Sequence, residues 1–250
     1  LSNNVVQNNS AYFAGDHAIT INGTFTNTTA ANRPLTNTLA SGQKLTLNGD
    51  VFLSNLTGTG RVWQLRGSGE TVINGDVMDF SGGKGTAASG IDFGTSGTGA
   101  RSLTLAGAST YSGNTVLSGG ASTLFVLAET GSMTFYIGAD GVNNQITGSA
   151  TAIFDGSFSF NLDEAVLADG NSWTIVDVAT VIESFAGTFA VSGFSESGNV
   201  WTNGSGLSFD ESTGILSYTA AAIPEPSAAA LLAAAAGLLV AGGRRRRHNA

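Results

Sequence analysis

The sequence predicts an all-β protein: a right-handed parallel β-helix closed by an antiparallel β cap and followed by one short transmembrane helix. Three observations predict it. A short strand-and-turn pattern recurs at a fixed period, the composition is turn-rich with 35 Gly and only 11% charged residues among 250, and an apolar run with a basic flank stands near the C-terminus. A hydrophobic fraction of 42% is ample for a core, so the low charge does not signal disorder.

The repeat defines residues 1–151. Ile19-Thr20-Ile21-Asn22-Gly23 recurs as Leu45-Thr46-Leu47-Asn48-Gly49 and as Thr71-Val72-Ile73-Asn74-Gly75, and more loosely as Leu103-Thr104-Leu105-Ala106-Gly107. The steps are 48 − 22 = 26, 74 − 48 = 26 and 106 − 74 = 32, which reads as a solenoid with an insertion, placed in the Gly-rich loop Ser81 to Gly90. Each unit alternates apolar and polar residues, giving a strand with one buried face, and Asn-Gly is expected to supply the positive φ that turns the chain. Such a unit cannot bury its apolar face alone. Stacked coils solve this by joining successive faces into one core. The competing architecture is an antiparallel sandwich or meander of Asn-Gly hairpins.

Residues 152–219 have a different texture. Phe154, Phe158, Phe160, Leu162, Trp173, Phe185, Phe189, Phe194, Trp201, Leu207 and Phe209 stand in short alternating runs separated by turn residues. These runs predict an antiparallel β cap over the unpaired strand edges at a solenoid end. Leu162 to Ala168 reads as one short helix, and Asp210 to Gly214 as a turn joining two strands. Trp173 and Trp201 lie inside alternating runs, which favours core packing, with ligand stacking as the alternative.

Residues 220–226 form a linker containing Pro224-Glu225-Pro226, and residues 227–250 an apolar span with a basic end. The two prolines hold Glu225 extended, the form in which a processing enzyme can grip a chain. Ser227 to Gly243 as a helix reaches about 25 Å, slightly short of a hydrocarbon core. Ala and Gly dominate it, so the expected anchor is weak. Arg244, Arg245, Arg246 and Arg247 resist translocation and orient the body outward. The chain begins with Leu1 rather than Met, and no signal peptide is visible, which reads as a start inside a longer precursor or after cleavage.

The order Pro-Glu-Pro, apolar helix, Arg-rich end resembles the PEP-CTERM sorting signal of Gram-negative bacteria. The resemblance covers about the last 27 residues. It implies an exosortase-type processing enzyme as partner, a transient inner-membrane anchor, and release to the cell surface or extracellular polymer. It also implies that Ser and Thr side chains carry glycans. A second resemblance rests on Leu103-Thr104-Leu105, Thr110-Tyr111-x-Gly113, Thr115-Val116 and Thr123 to Val126. That stretch is similar to the autotransporter-associated β-strand repeat, departing from it at Ala121-Ser122. It implies a β-helical segment displayed at a surface. No C-terminal outer-membrane barrel accompanies it, so autotransport is not implied.

Charge and chemistry narrow the function further. Residues 1–101 carry six basic and six acidic side chains, whereas residues 102–223 carry eleven acidic ones and no Lys or Arg. Such a surface repels nucleic acid and anionic headgroups. The absence of Cys excludes disulfides and thiolate zinc sites, and no EF-hand spacing appears, so no metal and no cofactor are expected. His17 is the one His of the body, no Gly-x-Ser-x-Gly elbow is present, and Gly82-Gly83-Lys84-Gly85-Thr86 lacks the phosphate-loop spacing. Glycoside hydrolysis would need paired carboxylates. The close pairs are Asp76 with Asp79, Asp163 with Glu164, and Asp210 with Glu211, all in turn-like segments where Asp bonds backbone. The expectation is a non-enzymatic structural or adhesive surface protein with extracellular polysaccharide as a candidate partner. The alternatives are a carbohydrate-binding module and a polysaccharide-degrading β-helix enzyme.

Overall fold

Alternating apolar and polar residues place every second side chain of each short strand inside, and strands of equal register stack into a three-sided column. A computed structural model describes residues 1–28, 34–94, 100–181 and 185–221. The first coil holds β1 (Val5–Gln7), β2 (Ala11–Gly15) and β3 (Ile19–Ile21). β4 (Phe25–Asn27), β5 (Leu35–Leu39) and β6 (Lys44–Leu47) repeat that order, as do β7 (Val51–Phe52), β8 (Val62–Gly67) and β9 (Glu70–Ile73). β10 (Val77–Met78), β11 (Gly90–Phe93) and β12 (Arg101–Leu105) make the fourth coil. β13 (Ala108–Ser109), β14 (Thr115–Leu117) and β15 (Thr123–Leu127) make the fifth.

All pairing between these coils is parallel. The first face is an 8-stranded sheet in the order β1-β4-β7-β10-β13, continued by β16 (Ser132–Tyr136), β18 (Ser157–Asn161) and β21 (Ala190–Val191). The other two faces share a 12-stranded sheet because the long strand β17 (Ile146–Phe154) bends through both, pairing β14 with its first half and β15 with its second. β20 (Val176–Val181) follows β17 around the same bend, with a register shift between Gly148 and Thr151. The parallel solenoid is therefore what the sequence predicts, and the hairpin alternative fails for the repeat region.

The core is a set of vertical columns. Ile21, Leu47, Ile73, Leu105, Leu127 and Phe154 are mutual register partners on six successive coils, and all are buried. Burying a side chain of this size contributes about 1.5–3 kcal/mol. Trp63 fills the wider interior between faces, donating Nε1–H to Gln7 Oε1 at 2.9 Å and packing on Phe25 at 5.3 Å between ring centroids.

The repeated Asn-Gly corner works differently from the turn expected of it. Gly23, Gly49, Gly75 and Gly107 are not among the glycines with positive φ. They are required because coils approach closely there: a Cβ on Gly49 would lie 2.4 Å from the carbonyl oxygen of Gly23, and one on Gly75 would lie 2.3 Å from that of Gly49. The asparagines form a ladder, Asn48 Nδ2 donating to Asn22 Oδ1 at 2.7 Å and Asn74 Nδ2 to Asn48 Oδ1 at 2.8 Å. One residue past each glycine, Asp50 Oδ1 accepts Asp76 N–H at 3.1 Å and Asp76 Oδ1 accepts Ala108 N–H at 2.8 Å. These side chains satisfy backbone donors where the strand ladder is interrupted.

The insertion is divided between two corners. Val51 pairs with Val77, a step of 77 − 51 = 26; Trp63 pairs with Ile91, a step of 28; Thr71 pairs with Leu103, a step of 32. Two extra residues therefore enter before β11, in the expected Gly-rich loop, and four more between β11 and β12.

The solenoid also runs past the expected boundary at Ala152, since β18, β20 and β21 pair in parallel with the coil beneath. The antiparallel part is a 5-stranded sheet, order β19-β25-β24-β23-β22, made of β19 (Ser172–Thr174), β22 (Ser195–Ser197), β23 (Val200–Thr202), β24 (Leu207–Asp210) and β25 (Ile215–Tyr218). The segment between β18 and β19 is not the expected helix. Asn161 Oδ1 accepts Asp163 N–H at 3.2 Å, a local side-chain turn that competes with helix formation. Asp210 to Gly214 is the turn between β24 and β25, with Ser212 N–H bonded to Asp210 Oδ1 at 2.8 Å. Phe158 sits among the aromatic rings of the junction, 4.9 Å from Phe189 and 5.9 Å from Phe209 in edge-on contact. The predicted transmembrane helix and basic end fall outside the described residues.

Candidate functional site

A groove of about 840 Å³ lies beside the loop from Asp79 to Ser89. That loop departs from β10 and is pinned by one buried carboxylate. Asp79 Oδ1 accepts N–H from Ser89 at 3.0 Å and from Ser112 at 3.0 Å. Its Oδ2 accepts Gly85 N–H at 2.9 Å and the Ser112 hydroxyl at 2.7 Å. Four donors offset the desolvation of the charge. Tyr111, fully buried beside it, bonds Thr115 through its hydroxyl, and burial pushes its ionisation far up. Tyr111 therefore stays neutral and structural.

Above Asp79, the loop projects Lys84 across the groove. Its Nζ lies 4.4 Å from the centroid of the Tyr136 ring and 3.3 Å from Glu164 Oε1. Tyr136 sits at the end of β16, fixed by its hydroxyl on Thr110 O at 2.9 Å and by its own N–H on Asn144 Oδ1 at 2.7 Å. Burial, and secondarily the charge of Asp79, raises the Tyr136 pKa. Glu164 reaches in from the segment after β18. An aromatic face and a carboxylate thus converge on one ammonium.

The residues singled out in the sequence distribute as follows. Pro224, Glu225, Pro226 and Arg244 to Arg247 lie outside the described residues. Asp76 and Asp79 bond the backbone of the next coil, Asp163 donates its N–H to Asn161 Oδ1 and accepts the Asn161 amide in a local turn, and Asp210 caps the turn that follows it. Glu211 Oε1 accepts Trp201 Nε1–H at 2.6 Å; desolvation raises the Glu211 pKa against that bond, with Glu196 and Asp210 adding to the rise. Trp173 is fully enclosed and donates to Ala139 O at 2.8 Å, so its ring offers no face to a ligand. Trp201 is partly buried, edge-on to Phe189. His17 is a surface side chain bonded to its neighbour Asp16.

The Tyr136 groove escaped the sequence reading because its three contributors are far apart in the chain. Among the described residues no group of three or more His, Asp or Glu could hold a metal ion, and no helix is long and apolar enough to cross a membrane. No protein-family model, curated protein or solved structure matches this chain.

Proposed function

We propose that this is an exported, non-enzymatic structural or adhesive protein of the cell surface or extracellular polymer, addressed by its Pro-Glu-Pro tail. The observation that carries the reading is the sequence of motifs in the tail: Pro224-Glu225-Pro226, an apolar span, then Arg244 to Arg247. The span inserts transiently as a short helix in the inner membrane, the arginines stay cytoplasmic, and an exosortase-type enzyme cuts near Glu225. The parallel solenoid supports this role. Its Asn-Gly corners are occupied by coil-to-coil bonds, and the winding we propose for it is right-handed, the sense that crossovers between parallel strands take. Extracellular polysaccharide is the proposed contact of the body, and nucleic acid is not, on grounds of charge.

Fractionation tests it. In a Gram-negative host that makes an exosortase-type enzyme, the body is released; without that enzyme the intact chain stays with the inner membrane. Replacing Pro224, Glu225 and Pro226 by alanine blocks release in the competent host. Release independent of both enzyme and motif sinks the proposal.

A further inference from the structure

We propose that the groove formed by Tyr136 and Glu164 is a binding site for an ammonium-bearing saccharide, and that Lys84 occupies its cation subsite in the free protein. The contact geometry defines the ligand chemistry. An ammonium within about 6 Å of an aromatic centroid is attracted by the ring quadrupole, and Lys84 Nζ sits at 4.4 Å with a carboxylate oxygen 3.3 Å away on another segment.

Lys84 is a replaceable occupant. The loop that bears it is held by Asp79, through Gly85 N–H and Ser89 N–H, so the loop keeps its place when the ammonium leaves. Glu164 is 77% exposed and Lys84 38% exposed, and ion pairs of that kind contribute little to folding. Tyr136, by contrast, is fixed at both hydroxyl and backbone, so its face stays presented.

The surroundings favour a sugar chain over a peptide. Around the subsite the groove is lined by Thr86, Ser112, Asn114 and Asn143; the Thr86 and Ser112 hydroxyls donate to Thr57 O and Asp79, so they and the Asn143 carbonyl oxygen meet a polyhydroxylated ligand as acceptors held in place. It crosses three coils, about 10 Å at strand spacing, and is open rather than enclosed. The field favours a cationic chain, because residues 102–223 carry eleven acidic side chains and no Lys or Arg. This inference adds a ligand to the surface-structural reading without resting on the tail.

Calorimetric titration of the full chain with a de-N-acetylated glucosamine oligomer tests it. Removing the internal competitor in Lys84→Ala tightens binding roughly fivefold to tenfold, the self-occupancy such a contact supports. Adding Glu164→Gln to Lys84→Ala abolishes that gain, and the N-acetylated oligomer, which has no ammonium, shows none. Both changes are at exposed side chains, and unchanged melting curves certify the fold. The proposal is overturned if Lys84→Ala binds no tighter, if the neutral oligomer gains equally, or if a lysine oligomer binds while the amino-sugar oligomer does not. None of these results depends on processing, so failure here and failure of the sorting reading are separately visible.

Discussion

Asn48 and Asn22, 26 residues apart in sequence, are joined directly: the amide of Asn48 donates to the side-chain carbonyl of Asn22 at 2.7 Å, and its own carbonyl accepts Asn74 at 2.8 Å. Each rung can both give and take one bond because a primary amide has donors and an acceptor on one planar group. The ladder stops at Ala106, which has neither. Asn48→Ala removes two bonds at an exposed corner and should cost about 1 kcal/mol, a fall in melting temperature of about 2–4 °C. Thermal unfolding followed by circular dichroism checks it.

The neighbouring glycine should be far less tolerant. Gly49→Ala places a Cβ 2.4 Å from a backbone oxygen of the coil beneath, which cannot rotate away, so a loss of about 3 kcal/mol is expected. Gly187 has open space around its Cβ position and no positive φ, and Gly187→Ala should stay within about 0.5 kcal/mol of the parent. Equal effects in chemical denaturation would refute the close-approach explanation of the corner.

Asp79→Ala strips the acceptor from three backbone N–H groups and one hydroxyl. A loss of about 3 kcal/mol or more is expected. Hydrogen exchange should show protection falling first at Gly85, Ser89 and Ser112, before the β12 and β15 strands respond.

Glu211 carries the pH dependence of the antiparallel sheet. Its folded pKa is raised, so the folded state holds the proton more tightly than the unfolded chain, and stability falls as pH rises from the ordinary Glu value of about 4.3 through the raised value. Glu211→Gln keeps an acceptor for Trp201 Nε1–H and removes the charge. It should be at least as stable as the parent at neutral pH, with the difference vanishing as both are acidified. Melting curves across that pH range decide it.

The solenoid was legible because the repeat is written in strand residues whose spacing survives stacking. Ile21, Leu47 and Ile73 are in register because each faces the interior at the same corner. Gly49 differs from the positive-φ turn that Asn-Gly predicts because close approach of backbones depends on coil spacing, which the local dipeptide does not encode. The end of the column was misplaced at Ala152 because aromatic alternation looks the same in parallel coils and in an antiparallel sheet; Phe158 and Phe209 share a cluster but sit in different sheets. Asp79 bonds backbone as its turn-like segment predicts, but nothing local shows that Ser112 of the next coil lies beside it. Lys84, Tyr136 and Glu164 were invisible as a group for the same reason.

Intact-mass measurement of the protein released by its native host tests the central claim most directly. The account predicts a mature chain that ends near Pro224-Glu225-Pro226 and lacks Ala228 to Ala250. Recovery from the medium of a full-length chain still carrying Arg244 to Arg247 would contradict it.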